Sequence, residues 1–168
     1  IPWIILNGSD AFRSIGTQKS KGTKVFALAG KISKGGLIEV PMGITIREIV
    51  EKIGDGVAPG RIFKAVQIGG PSGVCIPASE ADISVDFEEL IKMGAMMGSG
   101  GMVVLDDTDC MVDMAKYFLT FTHKQSCGKC TFCRIGTKLM LDILTKLSEG
   151  KATIKDINEL EALCNSVK

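Results

Sequence analysis

From Lys24 to Asp106 the chain sets short apolar runs against glycine- and serine-rich breaks, whereas beyond Asp106 its apolar positions return at intervals of three and four. The first habit belongs to strands and turns, the second to amphipathic helices. Lys24–Lys31 and Leu37–Met42 flank the turn residues Ser33-Lys34-Gly35-Gly36 and read as a β-hairpin. Thr45 follows at a helix N-cap with Glu48 three residues on, the spacing at which a hydroxyl and a carboxylate each satisfy a backbone N–H of the first turn. Ile46, Ile49, Val50 and Ile53 then share one face, and Gly54 ends the run. A further strand is expected at Phe63–Ile68, leading into Gly69-Gly70-Pro71-Ser72-Gly73, and another at Met102–Leu105 after Gly98-Ser99-Gly100-Gly101.

In the helical part, Asp109 is placed to cap a helix from Cys110 to about His123, with Val112, Ala115, Phe118, Leu119 and Thr122 on its apolar side. A second helix is expected from about Ile135 to Leu147, carrying Leu139, Met140, Ile143, Leu144 and Leu147 inward, with Gly150 as its stop. A third starts near Ile154, with Thr153 at the cap and Asp156 three residues on. Hairpin, helix and more strands, in that order, describe a β-grasp, a small sheet curled around a helix. With the helices that follow, the fold class is α+β. The expected division is 1–23 as an N-terminal remnant or linker without clear period, 24–106 as the sheet domain and 107–168 as a helical domain carrying a cysteine loop. The first residue is Ile1 rather than Met, which points to a piece of a longer protein.

Composition narrows the function classes. Of 168 residues, 45% are hydrophobic and 23% charged, enough for a packed core and against wholesale disorder. Twenty Lys and Arg against 19 Asp and Glu remove the strongly basic balance that phosphate-dominated binding needs, so no nucleic-acid partner is expected. No apolar run approaches the roughly 20 residues that cross a bilayer, and the start lacks a charged leader. A cytoplasmic chain without direct membrane insertion is expected. Charge is nevertheless segregated: Arg13–Lys34 holds six basic and no acidic residues, and Glu80–Asp113 holds nine acidic residues and only Lys92. Such runs are usually solvated faces, with docking as the alternative. Twenty glycines exceed the average usage of about 7% and imply many tight turns.

Six cysteines would make three disulfides in a secreted mini-protein, but a core of this size needs no staples, and three of the six lie within seven positions. Cys127-Gly128-Lys129-Cys130-Thr131-Phe132-Cys133 is C-x2-C-x2-C, a spacing at which thiolates, each offset by about one tight turn, converge on one iron–sulfur cubane. Structural zinc usually takes two knuckles a longer stretch apart, and there is no second knuckle. Iron–sulfur is therefore favoured, with Cys127, Cys130 and Cys133 as metal ligands, and a zinc-stabilised interaction module is the alternative. A cubane commonly takes four cysteines, and the slot where a bacterial ferredoxin has its fourth is Thr137. Cys164, with Ile157, Leu160 and Val167, reads as a buried helix-face thiol; Cys75 and Cys110 read as small core hydrophobes. His123, the single histidine, lies one helical turn before Cys127 and reads as a complement to a helix C-terminus, with nitrogen ligation as the alternative.

Four neighbours are candidate cofactor-binding residues. The helix beginning near Arg134 would aim free N–H groups and a positive dipole end at a thiolate-bound cluster. Ser126 can hydrogen-bond the turn, Gly128 suits its tightness, and Lys129 and Arg134 add positive charge that raises a reduction potential, solvated surface being the alternative for the last two. Neither glycine loop is a nucleotide site: Gly54–Gly60 misses G-x-G-x-x-G by one residue, and Gly98–Gly101 precedes a strand rather than a helix. Met93, Met96, Met97 and Met102 read as irregular core filling, with a soft interface as the alternative. The one histidine already borders the cysteine run, which argues against hydrolytic catalysis.

Ser126-Cys127-Gly128-Lys129-Cys130-Thr131-Phe132-Cys133-Arg134-Ile135-Gly136-Thr137 resembles the SCGKCxPCRxGT signature of the NADH-binding flavoprotein subunit of respiratory complex I and of NAD(P)-linked, flavin-containing hydrogenases. Phe26–Gly30, Val40–Gly43, Gly69–Gly73 and Met97–Gly101 resemble that family's soluble ligand-binding β-grasp domain. Phe132 stands where proline is usual and Ile135 where glutamate is common; the latter, with the glycine-rich stretches, is closer to the hydrogenase branch. The resemblance implies electron transfer, in which NADH reduces FMN and a [4Fe-4S] cluster accepts electrons from the flavin. It implies Cys127, Cys130 and Cys133 as ligands, a fourth ligand roughly forty residues past the third and so beyond Lys168, and a non-ligand role for Cys164. FMN and NAD would belong to an upstream domain of the parent protein, other subunits of an electron-transfer complex would be the partners, and this piece alone would neither oxidise NADH nor bind FMN. A β-grasp that binds a small ligand in its own right is the remaining alternative.

Overall fold

A computed structural model describes residues 1–167. The chain divides into two compact units, Ile1–Thr108 and the residues from Asp109 on. In the first, strands β1 (Thr23–Gly30), β2 (Gly36–Pro41), β3 (Phe63–Ile68), β4 (Val74–Pro77) and β5 (Gly101–Asp106) form one mixed sheet in the order β2-β1-β5-β3-β4. β1 runs antiparallel to β2 and parallel to β5, and β3 pairs antiparallel with both β4 and β5. This is the β-grasp arrangement expected from the element order, and the whole is α+β.

The core follows from the alternation. Phe26 and Leu28 of β1 are buried while Val25 and Ala27, before and between them, face out. Val40, Val66, Ile68, Met102 and Val104 complete the sheet's apolar side, against which Ile46, Ile49 and Val50 pack. Those three ride on a helix that starts at Thr45 with the expected reciprocal cap, since Thr45 accepts from the Glu48 N–H and the Glu48 carboxylate accepts from the Thr45 N–H. Only Ile46–Glu48 (α3) is α-helical; Ile49–Ile53 widens into a π-turn, and Ile53 ends partly exposed.

Several elements were not expected. The opening residues, read as without period, form two short helices, α1 (Pro2–Asn7) and α2 (Ser9–Arg13). β4 and the six-residue helix α4 (Phe87–Lys92) were also unforeseen. Asp86 caps α4, its carboxylate accepting from the Glu89 N–H at 2.8 Å. The segregated runs meet in part within this unit: Ser20, from the basic run, donates to Glu88 at 2.7 Å, and Lys19 lies near enough to favour the Glu88 carboxylate; Arg47, outside that run, pairs with Asp82 at 2.7 Å. Met97 and Met102 fill the core, but Met93 and Met96 are exposed. Cys75 is half-buried rather than fully in the core, and burial raises its thiol pKa.

The second unit is three helices, α5 (Met111–Gln125), α6 (Thr137–Ser148) and α7 (Ile154–Val167). Cys110, not Asp109, is the N-cap residue of α5, with no side-chain cap bond, and its exposed thiol is no core hydrophobe. Ala115, Thr122 and Leu139, assigned to apolar faces, lie exposed; among the described residues only Gly136, Thr137, Ile143 and Leu144 of this unit are buried. Cys164 is also exposed, because α7 turns Leu160, Leu163 and Val167 inward instead. α7 is tied at its start by Asp156, which accepts from the Thr153 N–H at 2.8 Å, the Thr153 hydroxyl at 2.7 Å and Lys146 of α6 at 2.8 Å. These bonds hold the Asp156 carboxyl well below the usual carboxylate range. Among the described residues no helix is long and apolar enough to cross a membrane.

Candidate metal centre

The cysteine run connects α5 to α6. α5 ends at Gln125 because Ser126 turns to extended backbone (φ −61°, ψ 132°). Gly128 follows with φ +72°, a conformation that costs an L side chain but not glycine. The chain re-enters helical geometry sooner than expected. Arg134 N–H donates to the Cys130 carbonyl at 3.0 Å, and a π-turn over Phe132–Gly136 carries Cys133 directly into α6. Gly136, in that turn, approaches α7 so closely that a Cβ there would meet Val167 at 2.6 Å.

Ser126 is the hub of the loop. Its Oγ accepts from the Gly128 N–H at 3.2 Å and from the Cys133 thiol at 3.1 Å, so one hydroxyl fixes the first turn and holds the third sulfur beside it. Arg134 reaches back and donates to the Gly128 carbonyl at 3.2 Å, which sets its guanidinium along the loop. Ser126, Gly128, Cys133 and Arg134 are thereby brought together. Cys127, Lys129 and Cys130 stand exposed on the same loop, and among the described residues their side chains have no such ties.

None of the six cysteines is in a disulfide. The donor set fits an iron–sulfur cluster in kind: three free thiols on one accessible turn, with an adjacent hydroxyl and guanidinium. Among the described residues no three His, Cys, Asp or Glu groups are gathered at single-ion spacing. A cubane places its thiolates on separate irons, so its ligands stand farther apart than those of one ion.

Two residues beside the loop are linked in a way their positions in the sequence did not announce. His123, in the last turn of α5, has its Nδ1 2.8 Å from Thr137 Oγ1, and Thr137 Oγ1 donates to the Cys133 carbonyl at 2.5 Å. The signal available was spacing: a threonine four residues after Cys133 is where a helical hydroxyl reaches back to a carbonyl.

Residues 113–168 match the family described as the NADH-ubiquinone oxidoreductase-F iron-sulfur binding region. The chain is 54% identical over all its 168 residues to the HndC subunit of the NADP-reducing hydrogenase of Solidesulfovibrio fructosivorans, covering 34% of that protein. It is 43% identical over 99% of its length to the F 2 subunit of the NADH-quinone oxidoreductase of Rhizobium meliloti, covering 40% of it. An NAD+-reducing [NiFe]-hydrogenase, solved in the air-oxidized state, superposes with a TM-score of 0.82 at 31% identity, over 98% of this chain and 28% of the other. The chain thus spans roughly a third of the length of the proteins it matches, the part that ends in the cysteine loop and its helices. Its 113–168 segment is similar to the iron-sulfur binding region of NADH-ubiquinone oxidoreductase F, and the chain as a whole is similar to part of HndC and of the F subunits of NADH-quinone oxidoreductases.

Proposed function

We propose that this chain is the cluster-bearing part of an NAD(P)H-linked flavoprotein subunit, and that it relays electrons between reduced FMN, held elsewhere in the parent protein, and the other subunits of a cytoplasmic electron-transfer complex. The observation that carries this reading is the run Ser126–Thr137, with three free thiols on one accessible loop inside a segment that matches an iron–sulfur binding region. When bound, a [4Fe-4S] cluster supplies one-electron storage at a potential set by its surroundings.

The residues of the chain take distinct roles in this reading. Cys127, Cys130 and Cys133 are the ligands, and a fourth comes from outside the described residues. Ser126 is positioned to turn its O–H onto the Cys133 sulfur once that sulfur is a thiolate, while Gly128 allows the turn. Arg134 and Lys129 add positive charge, and hydrogen bonds and charge of this kind raise a cluster's potential. The β-grasp unit serves as scaffold or subunit-docking surface.

The test is iron and acid-labile sulfide analysis of the full-length parent protein, purified anaerobically, with its visible absorption. About four irons per chain with a broad absorption near the blue end of the spectrum is expected. Iron-free protein retaining stoichiometric zinc would establish the zinc-stabilised module instead.

A further inference from the structure

The loop holds its three cysteines unequally. Cys127 and Cys130 are exposed, whereas Cys133 is fixed at two points, its sulfur by Ser126 and its carbonyl by Thr137. The carbonyl accepts twice from Thr137, once from its N–H and once from its hydroxyl. Thr137 is itself only 3% exposed and is the one buried polar side chain among the described residues of its unit. A buried hydroxyl needs partners for its proton and its lone pairs, and here it has both.

The partners fix the direction of each bond. A carbonyl can only accept, so the single Thr137 hydroxyl proton goes to Cys133. His123 must then donate, which requires the proton on Nδ1 and leaves Nε2 outside this chain of bonds. The ring sits in the last turn of α5 and the threonine is the first residue of α6, so the relay clamps together the two ends of the loop that carries all three thiols. It also occupies Nδ1 with Thr137, which places His123 in support of a ligand.

We infer that His123 and Thr137 are positioning residues that preset Cys133 for cluster binding, through a directed chain from His123 Nδ1–H to Thr137 Oγ to the Cys133 carbonyl. This rests on the cluster reading above. With one ligand held in place, the exposed Cys127 and Cys130 are the ones left to close upon a cluster, and Cys133 is its anchor.

Two measurements test it. The chain has one histidine, so the ring nitrogens of the 15N-labelled 168-residue chain give a single set of signals, expected to show the Nδ1–H tautomer. In the anaerobically purified full-length protein, Thr137→Val and His123→Leu should release iron to a chelator about 10- to 100-fold faster than wild type, the range for loss of a supporting contact. They should also change the electron paramagnetic resonance line shape of the reduced protein. Thr137→Ser keeps the hydroxyl and His123→Asn keeps a donor at the Nδ1 position, so both should restore retention and line shape; a packing role alone would not be rescued this way. Iron-loaded wild type with unchanged release and spectra in the valine and leucine variants overturns the inference while leaving the cluster reading intact, as does an Nε2–H tautomer. Iron-free wild type removes both.

Discussion

The two units solve the problem of folding in opposite ways. In the β-grasp unit Phe26, Ile46, Ile49, Val66, Ile68, Leu90, Met102 and Val104 are completely shielded from solvent. In the helical unit Ile143 and Leu144 are the only buried apolar side chains of any size among the described residues, while Phe132 (63% exposed), Ile135, Leu139 and Ile157 remain open. Apolar burial is the main favourable term in folding, so the first unit is secured by its own core. The second has little core and much exposed apolar surface, so a bound cluster would supply a larger share of its stability. Metal binding that organises a site contributes directly to folding free energy. The lesson is that the two units, joined in one chain, should respond separately to damage.

The sharpest break of that contrast is removal of the thiols. Cys127→Ala, Cys130→Ala or Cys133→Ala in the full-length protein is expected to abolish the cluster, and hydrogen exchange should then rise across 111–148 while β1 and β5 keep their protection. Uniform loss of protection in both units would contradict the comparison. The converse variant, Phe26→Ala, should cost about 3–5 kcal/mol by urea denaturation of the first unit and leave iron content unchanged. Gly128→Ala comes next. Its added Cβ meets nothing within 4 Å, so the penalty is backbone strain at φ +72° alone, about 1–2 kcal/mol, read as faster cluster loss rather than global unfolding.

The smallest effect concerns pH. Asp156 has a depressed pKa in the folded state through Lys146 and Thr153, so its contribution is present above the normal carboxylate pKa and is lost as pH falls through the lowered value. Helix α7 should therefore loosen from α6 only below about pH 4, and Asp156→Asn should flatten that dependence, as monitored by amide shifts of α7.

How far the sequence spoke depended on whether a signal was local. The hairpin, the Thr45–Glu48 cap and the strand at Phe63–Ile68 were legible because period and capping residues agree there. β4 was not, since four residues ending in Pro77 present no alternation to read. α4 was missed although Asp86 and Glu89 stand in cap spacing; six residues are too few for a helical period to emerge. The C-x2-C-x2-C run was plain from spacing, but the π-turn that draws Cys133 into α6 was not, because nothing in Thr131-Phe132 announces a wider helix. The exposure of Cys164 escaped for a different reason. α7 is apolar on more than one side, and only packing against α6 chooses Leu160 and Leu163 over Cys164. The His123–Thr137 bond joins residues 14 apart and depends on how two helices meet, which no local pattern encodes.

The central claim is that Cys127, Cys130 and Cys133 hold a redox-active cluster. It is tested most directly by low-temperature electron paramagnetic resonance of the full-length protein after reduction. The account predicts a signal from a reduced [4Fe-4S] cluster that disappears in each single alanine variant of the three cysteines and survives in Cys164→Ala. A signal that persists through all three substitutions would contradict it.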